Sequence, residues 1–218
     1  MSNIQVAIDE LHVAFRKLNL EFFNNELLEP AITIQSSGKR NSMGWCSSKE
    51  VWGDKEGTIK KYELNISAEY LDYDFMETMD TMLHEMVHLY NALNGVQDTS
   101  RNGAYHNKRF KSECERRGFY FPNTKADKKL GWAFPKITDE TKERISKLGI
   151  KREAFIIARR NIVNPVENDD ANDTAQDEEE KRPTSFKWVC SKCDLIVRST
   201  KDNIFIKCGE CDETLIKN

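Results

Sequence analysis

The sequence lacks any long run of hydrophobic residues. Its longest apolar stretches are about five residues, as at Ala154 to Ala158, whereas a membrane-spanning helix needs roughly 20. The N-terminus has neither the basic segment nor the apolar segment of a secretory signal. These absences argue against a membrane protein and predict a cytoplasmic protein, which we expect to be a monomer without a membrane partner.

The net charge of −3 conceals an uneven distribution of charge. Residues 1–100 carry 8 basic and 16 acidic side chains, whereas residues 101–160, here called the basic block, carry 17 basic and 7 acidic ones. Residues 161–182 carry 2 basic and 8 acidic side chains, and the remainder is nearly neutral. The net charge therefore does not exclude a nucleic-acid partner, and the basic block mildly favours one.

Composition divides the chain into three parts. Its 218 residues correspond to about one and a half domains. An acidic stretch with almost no apolar residues cannot bury enough surface to offset its ordering entropy, which predicts a disordered linker at 164–185. A body then spans 1–163 and a tail 186–218. The linker could be a solvated spacer, or it could mimic nucleic acid and occupy the basic block.

Four cysteines in the tail predict a structural zinc site. Cys190 and Cys193 form one C-x2-C pair and Cys208 and Cys211 another, with 14 residues between the pairs. Two such pairs complete a tetrahedral shell of thiolates, and so small a segment needs the metal to fold. A redox or disulfide role is disfavoured in a chain without a secretory signal. A closed shell leaves no open position for catalysis.

A helix predicted over residues 75–93 carries the candidate catalytic group. Its apolar residues recur at intervals of three and four, and Gly95 stands where a C-terminal cap would fall. The helix contains an H-E-x-x-H motif formed by His84, Glu85 and His88. Residues four apart on a helix point the same way, so both imidazoles can ligate one zinc ion, with Glu85 as general base.

A catalytic zinc takes three protein ligands and keeps one open position, so a third ligand is required. His106 is one candidate, presented by a turn that follows the motif helix. His12 is another, but it lies in an amphipathic N-terminal helix where a packing role is expected. Glu113 or Glu115 is the remaining alternative.

Three short strands are predicted before the motif helix, at 31–35, 43–47 and 62–67. We expect the last of them to lie at the edge of the sheet. An exposed edge can accept an extended peptide as an additional strand, which is how many proteases hold their substrates.

Taken together, these residues resemble the SprT-like family, which includes the Spartan proteases that cleave proteins covalently trapped on DNA. The resemblance covers residues 1 to about 120 and 186–211. It rests on the H-E-x-x-H motif, Tyr105-His106-Asn107-Lys108-Arg109-Phe110, the four-cysteine ribbon, and the pattern Asn19 to Phe23, Leu27, Pro30 and Gly44.

The resemblance implies an α+β, zincin-like metalloprotease fold followed by a zinc ribbon. It implies that His84, His88 and His106 bind a catalytic zinc, that Glu85 is the catalytic acid/base, and that a second zinc is structural. The implied activity is a zinc metallopeptidase acting on DNA-associated or DNA-crosslinked proteins, in the cytoplasm or at the nucleoid.

Aromatic residues are interleaved with the cations of the basic block. This mixture suits single-stranded DNA, because cations neutralise phosphates and aromatic rings stack on unpaired bases. A solvated helix face over core aromatics would give the same pattern. Two other functions stay open: a nucleic-acid- or polymerase-associated binding module with structural metal sites, and a metallohydrolase of a non-peptide substrate, which would need a closed pocket.

Overall fold

The chain divides into two compact units, residues 1–163 and 164–218, here called the body and the tail module. The predicted linker at 164–185 lies outside the described residues except for Ser185. The computed structural model describes residues 4–37, 42–160 and 185–217.

The described part of the body contains helices and short strands in an α+β arrangement. In chain order they are α1 (Ile4–Phe23), β1 (Ala31–Gln35), β2 (Gly44–Cys46), β3 (Trp52–Gly53), β4 (Lys60–Lys61), β5 (Glu63–Ser67), α2 (Phe75–Leu93), β6 (Thr99–Ser100), β7 (Tyr105–His106), α3 (Lys108–Arg116), β8 (Phe119–Tyr120), β9 (Lys136–Ile137) and α4 (Asp139–Ser146).

Helix α1 packs one face into the core of the body. Leu11, Phe15 and Leu18 recur at helical spacing and are fully buried, whereas Ile4 at the start of the helix is 48% exposed. Each buried side chain contributes about 1.5–3 kcal/mol relative to an exposed one. The predicted amphipathic N-terminal helix is therefore confirmed.

Strand β5 is the central strand of the main sheet, whose order is β1-β5-β2. It pairs in parallel with β1 and antiparallel with β2. The prediction that this strand lies at the sheet edge is therefore wrong. Its polar residues Glu63 and Asn65 suggest an exposed strand, but both are buried and accept hydrogen bonds from Thr33 and Gln35 of β1. The edge strands are β1 and β2.

Helix α2 confirms the predicted span of 75–93. It begins where the Asp74 side chain accepts a hydrogen bond from the Met76 backbone N–H at 2.8 Å, which satisfies one of the unpaired donors of the first turn. It ends before Gly95, whose φ of +66° favours glycine. Met79, Met82, Leu83 and other apolar residues of the helix are fully buried, so α2 is anchored in the core.

The Arg117 side chain connects three helices of the body. Its guanidinium lies between the rings of Phe23 in α1 and Tyr90 in α2, at 4.5 and 4.4 Å from their centroids. Its Nε donates to Glu113 of α3 at 2.7 Å, and it also donates to the Phe22 carbonyl. The side chain is only 13% exposed, so this cation of the basic block serves packing and is not free to bind phosphate.

The tail module is built on a three-stranded antiparallel sheet of order β11-β10-β12, formed by β10 (Phe186–Val189), β11 (Ile196–Ser199) and β12 (Ile216–Lys217). Its small core contains Trp188, Cys190, Cys208 and Leu215. In the described part of the chain, no helix is long and apolar enough to cross a membrane.

We expect Arg117→Ala to lower the free energy of unfolding by about 3 kcal/mol, because it leaves the Glu113 carboxylate buried without its closest cation. Arg116→Ala is the matched control, since Arg116 bonds the same carboxylate but its side chain is 70% exposed. The control should cost less than about 1 kcal/mol. Urea denaturation of both variants measures the difference, and equal losses would contradict the packing role of Arg117.

Candidate metal centres

Three histidines come together in the body. His84 and His88 lie one turn apart on α2, and His106 lies on β7. One ring nitrogen of each lies within 4.8 Å of the corresponding atoms of the other two. The Nε2 atoms of His88 and His106 face each other at 3.1 Å.

A single buried aromatic ring supports all three imidazoles. The Phe110 ring is fully buried, and its centroid lies 4.8 Å from that of His84, 4.5 Å from His88 and 4.6 Å from His106. Phe110 is held in the first turn of α3, where the Asn107 side chain accepts hydrogen bonds from the Arg109 and Phe110 backbone N–H groups. The three rings therefore rest on a rigid apolar base.

Asp98 orients the imidazole of His88. Its Oδ2 accepts a hydrogen bond from the His88 Nδ1 at 2.7 Å and another from the Asn91 side-chain amide at 3.0 Å. Its backbone carbonyl accepts a hydrogen bond from the Asn107 N–H at 2.9 Å. A proton held on Nδ1 leaves the Nε2 lone pair free, which is the arrangement expected of a histidine that ligates a metal.

Backbone pairing places His106 beside α2. His106 pairs with Thr99 in the β6–β7 hairpin, its N–H donates to the Leu130 carbonyl, and its carbonyl accepts from the Trp132 N–H. Gly131 lies between these two bonds with a φ of +70°, and a Cβ there would be 2.1 Å from the His106 oxygen. Only glycine permits this approach, so Gly131 fixes the position of β7.

The donor set fits a metal ion, because burial holds two of the three imidazoles, those of His84 and His106, in the neutral, ligating form. Burial lowers the pKa of His84 well below its ordinary value and lowers that of His106 to about 4. Burial also lowers the pKa of His88, but the hydrogen bond to Asp98 and the Glu85 charge outweigh it and raise the pKa overall. The three histidines could therefore hold a metal ion, and imidazole nitrogens suit zinc.

The side chain of Glu85 in α2 lies against β2, an edge strand of the main sheet. Burial raises its pKa to about 7, partly offset by the charge of His88 and by a hydrogen bond from the Cys46 backbone of β2. Strand β2 can approach α2 closely because its first residue is a glycine, Gly44. A Cβ at Gly44 would lie 3.2 Å from the Glu85 Cγ and 2.8 Å from a Thr81 methyl group. A carboxyl group with a pKa near 7 is suited to accept and return a proton at neutral pH.

The structure directs the other candidate ligands elsewhere. His12 bonds Glu29 at 2.7 Å through its Nδ1. Glu113 is buried against Arg117, and Glu115 pairs with Lys111 at 2.6 Å. None of these side chains belongs to the three-histidine group.

The four tail cysteines form a second candidate metal centre. Their sulfur atoms all lie within 4.8 Å of one another, and the Sγ atoms of Cys193 and Cys208 are 3.5 Å apart, far longer than a disulfide bond. In both C-x2-C turns, the first cysteine's N–H bonds the carbonyl five residues later, and its carbonyl accepts from the N–H four residues later. Two equivalent turns therefore present four thiols to one point, where they could hold a metal ion.

Asp98 and Gly131 take part in the histidine site, although no pattern in the sequence selects them. Asp98 lies ten residues after His88, a spacing that follows no helical or strand period. Gly131 is distant from His106 in the sequence and approaches β7 only in the folded protein. An acid shortly after an H-E-x-x-H helix is the one signal that could have pointed to Asp98.

A comparison with protein families supports this interpretation of the body. The model of the SprT-like family matches residues 11–129, which is more than half of the chain and includes all three histidines and Glu85. No curated protein and no solved structure matches the chain significantly.

We expect Asp98→Asn to weaken divalent-metal binding at the histidine site by roughly 10- to 100-fold, because the amide is a weaker acceptor for the His88 N–H. Competition with a chelator of known zinc affinity measures the change in the full chain, with the cysteine cluster as an internal reference. Asp139→Asn, at a side chain that is 99% exposed on α4, is the control and should leave both affinities unchanged. Unaltered affinity in Asp98→Asn would remove the orienting role.

Proposed function

The chain belongs to the SprT-like family, and from this premise we propose that it is a zinc-dependent endopeptidase acting on proteins associated with DNA. Family membership suggests a metalloprotease-type function. The observation that carries the proposal is the placement of a buried carboxyl group, Glu85, beside a three-histidine group and at an open strand edge. We also propose that the body is a zincin-like domain at 1–163, joined by a linker at 164–185 to a zinc ribbon at 186–218.

In the proposed reaction His84, His88 and His106 hold the catalytic zinc. Zinc in such a site would polarise the scissile carbonyl and make a water molecule more acidic. Glu85 takes the proton of the attacking water and returns it to the leaving amine, a role for which its raised pKa is suited. Asp98 keeps the His88 ring in the ligating orientation.

The proposed reaction does not assign the developing oxyanion to Tyr105, the residue next to His106. Tyr105 neighbours His106 in β7, and successive side chains of a strand point to opposite faces. Arg101 also lies over its ring, 4.8 Å from the centroid. The proposed reaction therefore uses Glu85 and the histidines without it.

Strand β2 offers an edge for an extended substrate. The Ser47 N–H bonds the Glu63 carbonyl and the Ser67 N–H bonds the Met43 carbonyl, both at 2.8 Å. In an antiparallel pair these contacts alternate, so the backbone groups of Gly44 and Cys46 point away from β5. The Cys46 N–H already bonds Glu85, which leaves the Gly44 groups and the Cys46 carbonyl to pair with a substrate. Within the described residues no strand lies on that side. An open edge beside Glu85 favours a polypeptide substrate over a small molecule that needs a closed pocket.

Three exposed cations of the basic block lie beside the strand that carries His106. The Arg101 guanidinium donates to the Lys128 and Lys129 carbonyls at 3.0 and 3.3 Å, which brings these three residues together. The neighbouring Leu130 carbonyl binds the His106 N–H. All three cations are exposed, and no ion pair is found for them among the described residues. This surface, here called the cationic loop surface, supports DNA binding next to the histidine site.

The second inferred zinc ion is structural. Cys190, Cys193, Cys208 and Cys211 can supply four thiolates, and a closed thiolate shell leaves no position for a substrate. Metal binding would stabilise a module whose own apolar core is small. We therefore expect two zinc ions per chain, one catalytic and one structural.

We expect Glu85→Gln to retain both zinc ions and to lose proteolysis by at least about 100-fold, because the amide cannot accept the proton. The assay incubates the full chain with a protein crosslinked to single-stranded DNA, with and without a chelator, alongside metal analysis. Glu77→Gln is the matched control on the same helix, since Glu77 pairs with Lys136 on the protein surface. Wild-type cleavage by Glu85→Gln would refute the mechanism, and metal-independent DNA binding without cleavage would favour a binding module.

We expect the double reversal Lys128→Glu and Lys129→Glu to weaken single-stranded DNA binding by about tenfold at physiological salt. It should also reduce the slope of log affinity against log salt by about 0.7 for each phosphate that the variant no longer neutralises. Lys142→Glu on α4, combined with Lys147→Glu just after its end, applies the same charge change where both lysines already pair with acids. Fluorescence anisotropy with an oligodeoxythymidine measures both, and equal effects would contradict a local DNA site.

A further inference from the structure

The sheet of the tail module has one covered face and one open face. Directly paired residues of antiparallel strands point to the same face, and successive residues alternate. Trp188 pairs with Val197 and Lys217, and its face is covered by the module's core. Val189 pairs with Ile196 on one side and Ile216 on the other. The Val189 face, one residue out of phase with Trp188, is therefore the open face.

An apolar row crosses the open face. Ile196, Val189 and Ile216 stand side by side on the three strands, and the two isoleucines are 54% and 61% exposed. With strands about 4.8 Å apart, the row is roughly 10 Å wide. The module has few apolar residues with which to build a core, so placing two isoleucines in water has no benefit for its folding.

A pair of cations stands next to the apolar row. Lys187 and Arg198 are directly opposed on β10 and β11, two residues and about 7 Å along the strands from Val189 and Ile196. Like charges placed directly opposite destabilise a sheet. Neither side chain has an ion-pair partner among residues 185–217, although Lys207 and Lys217 in the same module each have one.

The pattern of the open face matches an acidic peptide better than a nucleic acid. The apolar row offers a surface for an aliphatic or aromatic side chain, and the adjacent cations offer a site for carboxylates. Among the described residues of β10, β11 and β12, none on this face is an aromatic residue on which a base could stack. Residues 183–218 carry 6 basic and 5 acidic side chains, so the module lacks the strong positive charge of a phosphate-binding domain.

We propose that the open face of the tail module, formed by Val189, Ile196, Ile216, Lys187 and Arg198, docks a short protein segment in which acidic residues adjoin an apolar side chain. The tail would then select a protein partner, whereas the cationic loop surface of the body would bind DNA. This recognition does not depend on proteolysis.

The test selects peptides from a random 12-residue display library on the immobilised, zinc-loaded full chain. The enriched peptides should carry at least two Asp or Glu residues beside an aliphatic or aromatic residue. Fluorescence anisotropy then measures binding of the most enriched peptide to wild type and variants. Lys187→Glu with Arg198→Glu should weaken binding about tenfold or more, and Ile196→Ser with Ile216→Ser should weaken it similarly.

The matched control, Lys192→Glu with Lys201→Glu, reverses the charge of two other lysines of the module that lie outside the open face. It should change peptide affinity less than about twofold, and zinc content should be the same in all variants. Selection of peptides no more acidic than the library, or equal binding by the Lys187→Glu, Arg198→Glu variant, would overturn the proposal. It would also be overturned if an oligodeoxythymidine bound this face in place of the peptide and lost affinity in the same variant.

Discussion

The hydrogen bond between His88 and Asp98 joins the two chain segments that form the histidine site. Helix α2 supplies two imidazoles and the β6–β7 hairpin supplies the third, so their geometry depends on how these segments are held together. Asp98 bonds α2 through His88 and Asn91, and its carbonyl bonds the N-cap residue of α3, whose Phe110 supports all three rings. One acidic residue therefore links the helix, the hairpin and the apolar base of the site.

Local patterns in the sequence predict the helices and strands that depend on short-range periodicity. The span of α2, its C-terminal glycine and the facing pair His84 and His88 follow from spacing alone. Choosing His106 over His12 requires the family resemblance, because no spacing rule relates a hairpin residue to a helix. The prediction for β5 is wrong because strand order is a long-range property, and Glu63 and Asn65 are buried by partners on another strand.

The basic block shows that a count of charges does not describe a surface. Arg117 is buried between two aromatic rings, and Lys111 and Arg116 are paired with acids, whereas Arg101, Lys128 and Lys129 gather beside β7. Adjacent residues in the sequence thus have different uses. Only tertiary structure separates the cations that stabilise the fold from those available to an anionic partner.

The close contact between β2 and α2 at Gly44 has a consequence for selectivity. Strand β2 rests directly on α2 at Glu85. A polypeptide paired along β2 would therefore be positioned at Glu85 by main-chain hydrogen bonds, and its side chains would contribute little to that position. Under the proposed function, such an edge would discriminate between extended and folded conformations more strongly than between amino-acid sequences. A folded protein would be spared until a segment of it opened, so local unfolding of the target would set the rate at which it is cut.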